Sequence, residues 1–452
     1  MLKKIITNLI ITASFLYSGN IKDDYTDYSL RIISEALTDS TAFNRLGYLC
    51  DTFGPRLSGS KNLENAINWI LKEMRRDSLD YVKGERVKVP AWKRGEESLT
   101  LLRPHKRELS ILGLGGSIAT SKAGVTAEVM VVETFEDLKR NGEDVKGKIV
   151  LYNCAFKSYG ETVNYRYNGA IEAAKLGAVA SLVRSIGPWS MNTPHTGSMA
   201  YQKNIKKIPH AAVTLEDAMS LSRIYNRGDK ITLKLKMNAK TIADRWSRNV
   251  VSQINGTTKA DEIVVIGGHI DSWDVGQGAH DDGGACIAAW EAIRLIKKLG
   301  LKPKRTIRCV LWTNEENGGM GAKAYRDMHL DELDKHVVAI ESDGGVFAPE
   351  GFGFSGSTKA YEVVKNIHEL LKPIKANNSS IGGRAADVAP LNDEGVPVMS
   401  LKVNGEKYFW YHHTEADTFD KVDFNEFNKC VAALAIMAFV IADIDEPLYR
   451  DF

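Results

Sequence analysis

Residues 263–274 read IVVIGGHIDSWD, six apolar or glycine positions running without a break into a histidine and two aspartates. A short stretch that is apolar at every position reads as a strand covered on both faces, the habit of parallel sheets. Downstream, Gly283 to Leu299 has helical spacing, Ile307 to Thr313 is again a strand, Gly321 to His329 a helix and Val337 to Glu341 a strand. This alternation predicts an α/β fold in which helices cover both faces of a parallel sheet. In such sheets, ligands gather at the carboxyl ends of the strands.

Those ends are where the chemistry-bearing residues fall. The first strand runs into His269 and Asp271, then the glycine-rich turn holding His280, Asp281 and Asp282; the second ends at Glu315-Glu316, and the third at Glu341-Ser342-Asp343. Far downstream comes Tyr411-His412-His413-Thr414-Glu415-Ala416-Asp417. Each fragment alone has a plain structural reading, such as a solvated helix start or a turn. Together they supply what two zinc ions about 3.5–4 Å apart would need: a shared carboxylate, further ligands for each ion, and a free carboxylate to take a proton from water.

The flanks read differently. Tyr25 to Ser78 carries apolar residues at three- and four-residue spacing, interrupted by a turn-rich loop from Asp51 to Ser60, and Val82 to Leu102 alternates like edge strands. Strands near 124–132, 145–153 and 178–184 around an alanine-rich helix at 168–177 suggest a small separate unit at 121–240, with the main domain formed by 20–120 and 241–452. The apolar stretch Cys430 to Ala442 is shorter than the roughly 20 residues of a membrane span and reads as a buried C-terminal helix. Residues 1–19 read as a signal peptide, implying export to the periplasm or the exterior. With 59 Lys+Arg against 57 Asp+Glu, nothing in the charge supports a nucleic-acid or acidic partner. The five cysteines have no metal-binding or redox spacing and read mainly as buried thiols.

The series GGHxDSWD, GxxDDGG, TxEE, ESD and HHxxxDT, in that order, resembles the co-catalytic zinc exopeptidases, a family that includes leucyl aminopeptidases and glutamate carboxypeptidase. The resemblance covers roughly residue 30 to the C-terminus, and the middle unit resembles a protease-associated domain. It implies a mixed, mostly parallel sheet sandwiched by helices, two zinc ions per chain and a homodimer. Asp281 would bridge the zincs, His269 and Asp343 completing one, Glu316 and His413 the other, with Glu315 as general base. Asp271 would orient His269, and a cis peptide would join Asp281 to Asp282. His412 stands where many relatives carry a tyrosine that polarises the scissile carbonyl, so His412 and Tyr411 are both candidates for that role. The implied reaction is hydrolysis of small peptides. The branch with an inserted middle unit implies dipeptides with free termini, and the wider family aminopeptidase action on longer chains. Two rival readings on related scaffolds are a receptor-like protein, which would have lost ligands, and a glutaminyl cyclase, which would lack the middle unit.

Overall fold

The helix Lys61–Arg76 shows how locally the outer layer is encoded. Ser60 caps it by accepting the Leu63 N–H at 3.1 Å, and Arg75 and Arg76 lie in its last turn, where positive charge suits the helix dipole. Its buried residues, Leu63, Ala66, Ile67, Ile70, Leu71 and Met74, fall on one face. The computed structural model describes residues 21–446, 448 and 450, so the expected signal segment at 1–19 lies outside the described residues.

Two eight-stranded sheets organise the chain. The first runs, in spatial order, Asp80–Lys93, Lys240–Ile254, Arg305–Trp312, Lys259–His269, His336–Glu341, Val398–Val403, Pro349–Ser355 and Asn378–Ile381. Its centre is parallel, with His269 level with Trp312 and Gly267 level with Glu341, so three carboxyl ends finish side by side. Antiparallel strands at either side make it a mixed sheet. Apolar residues are buried on both faces, one set against the helices Ile21–Thr38, Gly284–Lys298 and Phe424–Asp443, the other around Trp312, Tyr325 and Leu391. The helix Phe424–Asp443 is 20 residues long and apolar enough to cross a membrane, but 78% of its most apolar window is buried inside the protein. Its first turn is held by Asp423, which accepts from Asn425 and Glu426.

The second sheet contains Arg107–Leu109, Glu97–Arg103, Thr232–Met237, Val125–Val132, Ile149–Tyr152, Ala180–Arg184, His210–Val213 and Ile111–Gly113. It has apolar clusters of its own on both faces. Its strands run from residue 97 to 237, so three of them precede the expected start at 121: Glu97–Arg103, which alternates like an edge strand, pairs with Thr232–Met237. The chain enters this sheet from Asp80–Lys93 and leaves it into Lys240–Ile254, which pair with each other. Among the described residues no disulfide forms; Cys50, Cys286, Cys309 and Cys430 are buried thiols and Cys154 is half-buried.

Candidate dinuclear metal and active site

Two glycines let the site close. A Cβ on Gly267 would stand 1.9 Å from the Val310 carbonyl oxygen of the neighbouring strand, and one on Gly268 would stand 2.2 Å from the Asp282 carboxylate. With both bare, Asp282 reaches the strand end and accepts the His269 backbone N–H at 3.0 Å. Asp282 therefore anchors the turn to the strand. The Asp281–Asp282 peptide is cis, as the family resemblance implies. Asp417 holds the same turn from outside, accepting the backbone N–H groups of His280 at 2.8 Å and Asp281 at 3.1 Å.

The five expected ligands converge. Asp281 Oδ1 lies 3.3 Å from His269 Nε2 and its Oδ2 lies 3.4 Å from His413 Nε2, one carboxylate oxygen to each imidazole. Asp343 Oδ1 is 3.4 Å from His269 Nε2, and Glu316 Oε2 is 3.1 Å from His413 Nε2. Two half-sites thus share Asp281. His412 Nε2 lies 3.8 Å from Asp281 Oδ2, and its ring stacks on His413 at 3.5 Å, so it is a neighbour of the second half-site. Donor atoms of His269, Asp281 and Asp343, and of Asp281, His412 and His413, lie mutually within 4.8 Å. His269 Nε2, Asp281 Oδ2 and Glu316 Oε1 are buried without a hydrogen-bond partner, as ligand atoms facing a cation would be.

Glu315 sits apart from this set, its Oε2 4.0 Å from His269 Nε2 and its side chain more open than that of Glu316. Asp271 departs from expectation. The His269 Nδ1–H donates to the Asp271 backbone oxygen at 3.0 Å, whereas the Asp271 carboxylate, 3.8 Å from that nitrogen, accepts from the Glu315 backbone N–H and from Ser58 Oγ, both at 3.1 Å. A chain turning straight after His269 brings its own carbonyl closer than the side chain. Asp271 therefore fixes Glu315. Tyr411 lies outside the cavity, stacked towards His280, which is itself sandwiched against Phe347 and buried. His412 faces the cavity, as does Tyr408, one helical turn earlier.

Packed carboxylates raise one another's proton affinity. Burial, then Asp281 and Glu315, hold Glu316 well above the usual range; burial and Asp281 raise Asp343; burial, Asp343, Asp271 and Asp281 push Glu315 up to about 8. Burial opposes charge on His269, but the carboxylates of Asp281 and Asp343, 3.3 and 3.4 Å from its Nε2, outweigh that and raise it well above the usual value. Burial also opposes charge on Asp281, yet His269 and His413 lower it. Burial, then the charge of Arg166, holds His412 well below the usual imidazole value, and burial, then His412, does the same to His413.

The cavity over these residues measures about 370 Å³. Part of its wall comes from the second sheet's unit, through Tyr159 and Arg166 on the helix Tyr159–Lys175 and through Ser198. Arg166 donates to Tyr159 Oη at 2.8 Å, and its Nε has no partner. Nothing in the sequence singled out Arg166, though Tyr159 and Arg166 are two turns apart on one helix face. Arg56, in the turn-rich loop, is also unforeseen; buried, it donates to the carbonyls of Gly54, Ile270, Gln277 and Gly278 and braces the ligand-bearing turn.

Three adjacent strand ends crowding histidines and carboxylates around one cavity form a metallopeptidase site; residues 249–438 match peptidase family M28, and the chain belongs to that family. Within it, the chain is 45% identical to carboxypeptidase Q of Mus musculus over 94% of its own length and 92% of that protein's. The solved structure of a peptidase M28 precursor from Shewanella amazonensis matches it with a TM-score of 0.92 at 34% identity, over 95% of this chain and 99% of the other. A zinc aminopeptidase from Bacillus subtilis shares the fold, with a TM-score of 0.66 at 20% identity over 89% of this chain and 94% of the other.

Proposed function

We propose that this chain is a dinuclear zinc exopeptidase that hydrolyses dipeptides with free termini. The observation that carries it is the division of the Asp281 carboxylate between His269 and His413, each with its own further carboxylate. Imidazole nitrogens and carboxylate oxygens are donors zinc takes readily, and their unpartnered buried atoms fit a cation pair. Asp281 would bridge, His269 and Asp343 would hold one ion, and Glu316 and His413 the other. Bound zinc would supply a Lewis acid that makes water a nucleophile near neutral pH. Glu315, held by Asp271 beside His269, takes the proton of the attacking water and delivers it to the leaving amine. Tyr408, which lines the cavity one helical turn before His412, would donate to the substrate carbonyl.

A cavity of about 370 Å³ is at the small end of the roughly 300–1,000 Å³ of small-ligand sites, which supports short substrates. Arg166, with an unpartnered N–H, supports recognition of a free α-carboxylate. Residues 97–237 form the inserted protease-associated unit in this reading. In this reading the chain is exported and pairs as a homodimer, as the sequence resemblance implies.

The test is hydrolysis of a dipeptide and of its C-terminal amide, before and after chelation, with zinc counted per chain. Expected are about two zinc ions, activity lost on chelation and restored by zinc, and a preference for the free acid that Arg166→Met removes by raising KM. Activity that survives complete zinc removal would overturn the reading, and an unchanged preference in the Arg166 variant would overturn the carboxylate assignment.

A further inference from the structure

The metal ligand His413 is held from across the boundary between the two sheets. Its Nδ1 lies 3.3 Å from the backbone oxygen of Thr196, and the Thr196 N–H donates to the His413 backbone oxygen at 2.9 Å. That acceptor places the ring proton on Nδ1 and leaves Nε2 bare towards Glu316 and Asp281, the tautomer a ligand needs. Arg166 Nη1, 3.5 Å from the same nitrogen, is a donor that would favour the opposite tautomer, but it donates to the Thr196 oxygen itself at 3.4 Å.

Thr196 is itself pinned. Its Oγ1 donates to the Gly113 carbonyl at 3.0 Å and accepts from Arg94 Nη2 at 3.2 Å. Arg94 also donates to the Gly113 carbonyl and, through Nε, to Asp274 Oδ2 at 3.0 Å; Glu97 lies 3.7 Å away. Asp274 belongs to the segment between His269 and Asp281. One guanidinium, only 10% exposed, therefore grips the segment leading to the bridging carboxylate and the residue that orients the last ligand.

We infer that Arg94 is a positioning residue of the metal centre: acting through Thr196 it sets the orientation and tautomer of His413, so the half-site of His413 and Glu316 depends on the seam between the two units. The inference rests on His413 being a ligand. A planar fork is required, since two directions must be bonded at once, to Asp274 and to Thr196 with Gly113.

The experiment is titration of the metal-free full chain with Co²⁺, followed by its visible absorption, and with zinc by calorimetry, for the wild type, Arg94→Met, Arg94→Lys, Thr196→Val and His413→Ala. In Arg94→Met the first equivalent should bind as in the wild type and the second about 10–100-fold more weakly, the usual cost of losing an outer partner of a ligand. Arg94→Lys should recover part of the loss. Thr196→Val keeps the carbonyl but loses the hydroxyl, and should weaken the second equivalent less than Arg94→Met does. Melting of the metal-free forms identifies a variant that does not fold, and Thr196→Val then decides alone. Unchanged affinity for both equivalents in folded variants, or equal weakening of both, would overturn the inference. If His413→Ala still binds two ions, the ligand assignment fails, whatever Arg94 does.

Discussion

Glu315 and Glu316 are chain neighbours with different surroundings. The Glu316 side chain is 2% exposed and touches His413, whereas that of Glu315 is 23% exposed, with its backbone N–H on Asp271. Glu315→Gln should keep about two zinc ions and lose about 10²–10⁴-fold in hydrolysis rate, the usual scale for general-base loss. Glu316→Gln should lose metal, because an amide is a poor substitute for an anionic ligand. Zinc content and rate measured on both variants decide this, and the opposite pattern would exchange their roles. A second expectation follows from protons. Without metal, Glu316 is held well above the usual carboxylate range and His269 well above the usual imidazole range, so each holds a proton that competes with a cation. Zinc affinity should therefore rise from about pH 6 to about pH 8 and fall on acidification. Calorimetry in buffers of different ionisation heat should count at least one proton released per chain at neutral pH; none released would contradict the buried, mutually repelling carboxylates.

At the scale of elements, the strand ends are placed by packing behind them. The strand Lys259–His269 is buried from Ile263 to its end, and the helix Phe424–Asp443 packs on this sheet and on Gly284–Lys298. Ile436, fully buried on that helix, reports on the platform. Ile436→Ala should cost about 2–5 kcal/mol in urea unfolding, from lost burial plus a cavity, with kcat of the folded fraction little changed. A cost under about 1 kcal/mol would mean the layer can collapse around the gap. The helix Tyr159–Lys175 plays the other part, carrying Tyr159 and Arg166 from the second sheet's unit to the cavity wall.

For the whole molecule, the ligand set buries the carboxylates of Asp281, Glu316 and Asp343 beside one another, an arrangement a bound cation would relieve. Metal that binds only the folded state stabilises it by mass action, about 2.7 kcal/mol at a free concentration 100 times Kd. Chelation should therefore lower the thermal midpoint and zinc should restore it. A midpoint indifferent to zinc would argue that the carboxylates are relieved in some other way.

Sequence by itself determined the platform and offered candidate ligands at three strand ends, because continuous apolar strands announce a doubly covered sheet and His269, Glu315-Glu316 and Glu341-Ser342-Asp343 stand at or just after such strands; choosing Glu316 and Asp343 among them took the family's motif order. Asp281 and His413 needed the family's motif order, since a turn and a distant loop carry them. Tertiary structure decided what surrounds them: that Asp271 holds Glu315, that Asp282 ties its turn to the strand, that Tyr408 faces the cavity where Tyr411 does not, and that the second unit includes strands before residue 121. It alone paired Thr196 with His413, 217 positions apart in the chain. Periodicity reports which face of an element is buried. The partner of a polar atom depends on where another part of the chain passes, and for these groups that part is a backbone carbonyl or N–H, which every residue carries and no motif marks.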